Sequence, residues 1–250
     1  LHVRSRRQRQ MCIRDRYDIL KGDKSERELD RRFITNLCMN GVPMGLQYSI
    51  TAIGSTILQA AVNTLGSTYV AAMTAGSKMF NFTCCPFDAL GSTMATYAGQ
   101  NVGAAKIKRL GQGVRSAMII GSVYSVLSLI ALYFTTDYIA LLFVNASETT
   151  IIALTRQFIL ASACFYIPLT GVNVVRFCIQ GMGFSVFAIS AGILEMIGRA
   201  FAAIILIPSI GFMGACLASP IAWIAADAFL FPAFIHCAKK LNARHNIKSN

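Results

Sequence analysis

Charge is what this sequence has least of. Asp, Glu, Lys and Arg make up 14% of its 250 residues, against about 25% in soluble domains, and only 11 are acidic. That shortage excludes an ordinary water-soluble globule. A hydrophobic content of 55% excludes disorder as well. Histidine is equally sparse: His2, His236 and His245 all lie near the ends. The eight cysteines are scattered with no CxxC pair, so no zinc or iron–sulfur site is expected, and no other metal site. Each thiol reads as a small buried hydrophobe. GxxxxGK[ST], GxSxG and HExxH are all absent, which removes phosphate-cradling, serine-hydrolase and zincin chemistry. Gly181-Met182-Gly183 is a glycine pair with no strand before it. No catalytic residue, enzyme activity or cofactor is expected.

The basic excess is unevenly placed. Residues 1–16 carry +5 of the net charge of +12, and they contain no apolar run of the kind a secretory signal requires. Gln10 to Arg16 back-translates as CAG ATG TGT ATA AGA GAC AGN, a string that resembles the transposon end used in sequencing libraries. Residues 1–16 are therefore expected to be a sequencing-adapter artefact, and the chain a fragment. The remaining positive charge sits in short loops and the tail, with long neutral stretches between them. That distribution argues against a nucleic-acid partner.

Long apolar runs dominate what is present, at a mean hydropathy of +0.55. Six stretches, approximately 41–62, 69–97, 115–134, 152–178, 184–207 and 211–236, are each about long enough to cross a bilayer as a helix. The fold class is thus all-α, a polytopic membrane helical bundle. Residues 17–40 read as a cytoplasmic amphipathic linker, 41–237 as a six-helix transmembrane lobe and 238–250 as a basic cytoplasmic tail. Lys106, Lys108, Arg109 and Arg115 gather around the second connection, and Lys239, Lys240, Arg244 and Lys248 follow the last span. Connections 63–68 and 208–210 are uncharged, while 135–151 carries only Asp137 and Glu148. Positive residues favour the cytoplasm, so both ends of the six-span unit are placed inside.

Several segments resemble one family. Gly41-Val-Pro-Met-Gly-Leu-Gln47 opens the first span and Gln59-Ala-Ala-Val-Asn-Thr-Leu-Gly66 closes it. Val70-Ala-Ala72 opens the second span, which ends in Ala95-Thr-Tyr-Ala-Gly-Gln-Asn-Val-Gly-Ala-Ala-Lys106. From about Phe33 onward this series resembles the C-terminal half of the multidrug and toxic compound extrusion (MATE) transporters. The resemblance implies spans seven to twelve of a twelve-helix protein built from two lobes. It also implies exchange of Na+ or H+ for cationic or amphipathic compounds at the plasma membrane. The implied partners are those small molecules, the lipid bilayer and an N-terminal lobe absent from this chain. Two other functions compete: a lipid-linked-precursor flippase of the same broad superfamily, for which more basic cavity residues are expected, and a membrane scaffold without transport of its own.

Ionisable residues at bilayer depth are the sharpest functional signal, because charge there is costly. Glu195 and Arg199 lie one helical turn apart and can pair with each other, as a structural ion pair or as part of a cavity. Lys78 and Asp88 are about 15 Å apart along a helix, so each needs water or a partner on another helix. Asp227 stands with them, with cavity and structural roles both open. Arg156 and Arg176 are expected to snorkel to opposite interfaces. Pro86, Pro168 and Pro220 lie inside spans and loosen backbone hydrogen bonds, which polar neighbours or cavity water would satisfy, or else they merely kink packed helices. Some family members carry a coupling glutamate in span seven and an aspartate in span ten; the corresponding stretches here offer Gln47, Thr51 and Asn173 instead. The candidate cavity set is therefore Gln47, Thr51, Lys78, Phe82, Asp88, Phe165, Tyr166 and Asn173.

Overall fold

The computed structural model describes residues 31–249. The expected artefact 1–16 and linker residues 17–30 lie outside the described residues. The chain divides into two compact units after Gly41. The described part of the first is the opening of helix α1 (Arg31–Asn63), where the Thr35 hydroxyl donates to the Arg31 carbonyl at 2.8 Å.

The second unit continues α1 and adds α2 (Ser67–Gly103), α3 (Lys108–Ala140), α4 (Thr149–Ala163), α5 (Tyr166–Gly181) and α6 (Ser185–Phe201). A π-helical turn, Ala202–Leu206, then leads into the short α7 (Ile207–Ile210) and the long α8 (Phe212–Ser249). No strand occurs among the described residues. Each apolar stretch of the sequence thus lies within one helix or one interrupted helix. The helices run several residues past the apolar stretches, because apolarity marks only the bilayer-length part of each. Connections shrink accordingly: the basic loop expected over 98–114 is reduced to residues 104–107 between α2 and α3.

Three helical segments are long and apolar enough to cross a bilayer. They are α3, α6 continued through α7, and α8 as far as Ala243, with mean hydropathies of 2.0, 1.9 and 1.7 over their most apolar stretches. The α4–α5 pair, bent by 52°, makes a fourth if taken as one broken span. The stretch expected to be a single span over 152–178 is therefore interrupted at Cys164–Phe165. Pro168 supplies the reason: it has no amide for the Cys164 carbonyl, and its ring crowds that carbonyl. Pro208 plays a comparable part in α7, where the preceding turn widens into the π form.

The packing is organised around α5 and α8. Helix α2 rests chiefly on α5, with further contacts to α3 and α4, while α6 lies against α8. Small residues set these distances, as is usual for helices in lipid. A Cβ at Gly198 of α6 would stand 2.9 Å from the Ala222 Cα of α8. Aromatic side chains fill the centre. Phe80 stacks on Trp223 with ring centroids 5.8 Å apart, and Phe87 meets Tyr124 and Tyr166 edge-on at 5.0 and 5.4 Å. Towards the end of α3, Asp137 pairs with Arg156 of α4, whose guanidinium also lies 5.3 Å from the Tyr133 ring.

Candidate functional site

Three polar features stand out in a lobe otherwise held by apolar packing. The first is a stripe on α2. Thr74, Lys78, Asn81, Cys85, Asp88 and Ser92 are all exposed, and their spacing of three and four residues puts them on one helix face. Helix α2 is not among the helices apolar enough to cross a bilayer, and a polar face of this kind suits water or more protein rather than lipid. Its hydroxyls are satisfied within the helix: Thr74 donates to the Val70 carbonyl at 2.8 Å and Ser92 to that of Asp88 at 3.0 Å. Lys78 lies 5.5 Å over the Phe143 ring, beside an opening of about 620 Å³ that also includes Asn145 and Glu148. The Asp88 carboxylate has no hydrogen-bond or ion-pair partner among the described residues. Phe82, 84% exposed, lies six residues earlier on α2 and points about 120° away around the helix.

The second feature is a chain of alternating charges through the interior. Glu195 of α6 pairs through Oε1 with Arg176 of α5, and through Oε2 with Arg199 at 3.5 Å. All three side chains are buried. Asp227 of α8 makes no ion pair among the described residues, and its Oδ1 is buried without a hydrogen-bond partner. The Asp227 carboxylate packs on the bare backbone of Gly171, where an added Cβ would lie 2.6 Å away. The order Arg176, Glu195, Arg199 alternates in sign, so one carboxylate serves both guanidiniums. This corrects the expectation that Arg176 snorkels to an interface. Helix α5 is packed against α2, α3, α6 and α8, so its arginine has no outward path and is instead compensated by Glu195.

Helix α1 joins this chain through two contacts. Gln180 of α5 donates to the Gln47 Oε1 at 2.6 Å, and Arg199 Nη1 donates to the Thr51 carbonyl at 3.4 Å. Gly192 leaves room for Gln47, whose Cγ would be 3.3 Å from a Cβ there.

The third feature is a cleft of about 310 Å³ bounded by α1, α2, α4, α6 and α8. Leu58, Phe80 and Phe158 form its apolar wall, while Ser55, Gln59, Asn81 and Arg199 are among its polar groups.

The sequence-derived candidates consequently separate. Lys78, Phe82 and Asp88 are exposed on α2. Gln47 and Thr51 meet Arg199 and Gln180 inside. Phe165 sits half-buried at the α4–α5 bend, Tyr166 is wholly buried against Phe87, and Asn173 is buried with its amide donating to the Leu169 carbonyl at 3.3 Å. Sequence reasoning left out Gln180, yet Arg176 and Gln180 are one turn apart on α5, and that spacing was a readable sign of a shared face. No cluster of three or more His, Cys, Asp or Glu residues able to hold a metal occurs among the described residues.

Comparison with known proteins agrees with this architecture. Among solved structures, a MATE crystallised in complex with MaL6 superposes with a TM-score of 0.81 at 16% identity, covering 88% of this chain and 50% of that one. The Vibrio cholerae MATE transporter VcmN in its bent form superposes at 0.77 and 17% identity, covering 87% and 50%. A Bacillus subtilis (strain 168) protein named as a probable multidrug resistance protein, YoeA, is 26% identical over 144 residues, or 56% of this chain and 31% of that protein. The chain thus spans about a third of that relative and half of each solved chain. The MatE family model matches residues 43–198, more than half of the sequence. With the helical lobe and that match together, the chain belongs to the MatE family of membrane transporters.

Proposed function

We propose that this chain is a six-span lobe of a secondary antiporter that exports cationic or amphipathic compounds in exchange for Na+ or H+. Helices α1 and α2 add two spans to the four given by α3, the bent α4–α5 pair, α6 with α7, and α8. Their lower apolarity is what a wall facing a water-filled cavity requires. Alternating access then follows from rocking of this lobe against a second one around a midplane site. The connection carrying Lys106 and Lys108 and the α8 tail are assigned to the cytoplasm of a plasma-membrane protein, and the Asp137–Glu148 side to the exterior.

One observation carries the reading. Asp88 is the only carboxylate on the exposed stripe of α2, and it has no partner among the described residues. Lys78, about 15 Å along the helix, is engaged with Phe143. The stripe therefore presents a carboxylate without an internal counter-charge, which suits a cation. The test is efflux of a cationic dye from intact cells carrying the protein encoded by the full locus. Asp88→Asn is expected to impair export while membrane insertion persists. Wild-type efflux by that variant at matched expression, across pH and Na+ concentration, would overturn the assignment.

A further inference from the structure

The 310 Å³ cleft has a lining whose electrostatics point the opposite way from the α2 stripe. Arg199 is its only ionised lining residue, and no carboxylate lines it. The two hydrogen bonds of Arg199, 3.4 Å to the Thr51 carbonyl and 3.5 Å to Glu195, are both long. Glu195 is drawn away by Arg176, which takes its other oxygen. A guanidinium has five N–H donors, so most of the donor capacity of Arg199 is unused.

The hydroxyls around it repeat the pattern. Ser77 of α2, Ser162 of α4 and Ser219 of α8 reach the cleft from three different helices. None of the three has a hydrogen-bond partner among the described residues. Elsewhere, Ser49, Ser55, Ser92 and Ser190 each donate to the carbonyl one turn earlier. Ser162 is buried, and Ser77 and Ser219 are half-buried. The three hydroxyls line the same cleft as the underused guanidinium and are free to donate to an occupant. The facing wall is apolar, with Phe80 and Phe158 at its centre.

We propose that the cleft binds an organic anion, a carboxylate whose charged end is held by Arg199, Ser77, Ser162 and Ser219 and whose carbon body lies against Phe80 and Phe158. The planar fork of arginine matches the two oxygens of a carboxylate, and the volume falls within the usual range for small-molecule pockets. Ser55 and Asn81, both exposed and both lining the cleft, mark its mouth between α1 and α2. The site is separate from Asp88, which lies two turns further along α2, roughly 10 Å away. It concerns binding alone and does not depend on the export reading.

The molecule carries its own reporter. Trp223 is its sole tryptophan and stacks at 5.8 Å on Phe80, a wall of the cleft. Cyclohexanecarboxylate titrated into the purified chain in neutral detergent is expected to change tryptophan fluorescence saturably. Cyclohexanecarboxamide and chloride at equal concentrations are expected to leave it unchanged. Arg199→Lys keeps the charge but loses the fork, and affinity is expected to fall about tenfold. Ser219→Leu fills the cleft while leaving the charge chain alone, and the saturable response is expected to vanish without loss of melting temperature. Absence of any response would overturn the proposal. So would a response to the amide equal to that of the carboxylate, which would mean apolar occupancy only. An equal response to chloride would make it an inorganic-anion site, and affinities unaltered in both variants would place binding elsewhere.

Discussion

Arg176 of α5 and Glu195 of α6 form an ion pair in which both side chains are more than nine-tenths buried. Glu195 also serves Arg199 at 3.5 Å, so one carboxylate stands between two guanidiniums. Removing it alone leaves two like charges facing each other without water.

Glu195→Gln is therefore expected to destabilise the lobe by about 3–5 kcal/mol, the usual cost of stranding a buried charge. Thermal melting in detergent reads the loss. Replacing Arg176 and Arg199 with Met and Glu195 with Leu together is expected to recover much of it, because apolar residues of similar volume leave none of the three charges stranded. A single Glu195→Gln variant that melts like the parent would show that water, not the carboxylate, compensates the arginines.

Glycines at close contacts and glycines in open positions should respond in opposite directions. Gly198→Ala puts a methyl 2.9 Å from the backbone of Ala222, which no rotamer change can relieve. Helices α6 and α8 must separate, at a cost of about 1–3 kcal/mol. Gly45→Ala meets nothing within 4 Å and is expected to be neutral or to stabilise by about 0.5–1 kcal/mol through helix propensity. Paired melting curves of the two variants test the contrast.

Topology can be read by labelling. After replacement of the exposed Cys38, Cys85 and Cys164, an impermeant maleimide applied outside intact cells is expected to modify a cysteine introduced at Thr149 and to spare one at Lys108. Both positions are exposed at helix starts. The reverse pattern would invert the assigned orientation.

Pro168→Ala restores the amide that α5 lacks near the Cys164 carbonyl. The 52° bend between α4 and α5 is expected to open toward a straighter helix, read as a longer distance between spin labels at the exposed positions Thr150 and Val186, near the two ends. An unchanged distance would assign the bend to packing of α5 against its neighbours.

Much of the helical plan was legible because it rests on local chemistry. Apolar length marks each stretch, and Pro168 announces the interruption between α4 and α5. The interior charges were only half legible. Glu195 and Arg199 are one turn apart, so their approach follows from helix geometry alone. Arg176 reaches the same carboxylate only through the packing of α5 on α6, and nothing in the spacing of the sequence states which helices touch. The candidate site was split for the same reason. Tyr166 and Asp88 look alike in sequence, as polar groups in apolar surroundings, but one falls on the inward side of its helix and the other outward.

The links between helices are very short: residues 64–66, 104–107, 164–165 and 182–184, and the single residue Gly211, with 141–148 the longest. Apart from 141–148, the links among the described residues have no slack with which to fold over a ligand. Larger motion must therefore be carried by neighbouring helices pivoting together. The points of give are already built into the helices, at the Cys164–Phe165 break and at the π turn before Pro208. Tags and reporter insertions belong in 141–148, where added length does not pull two spans out of register.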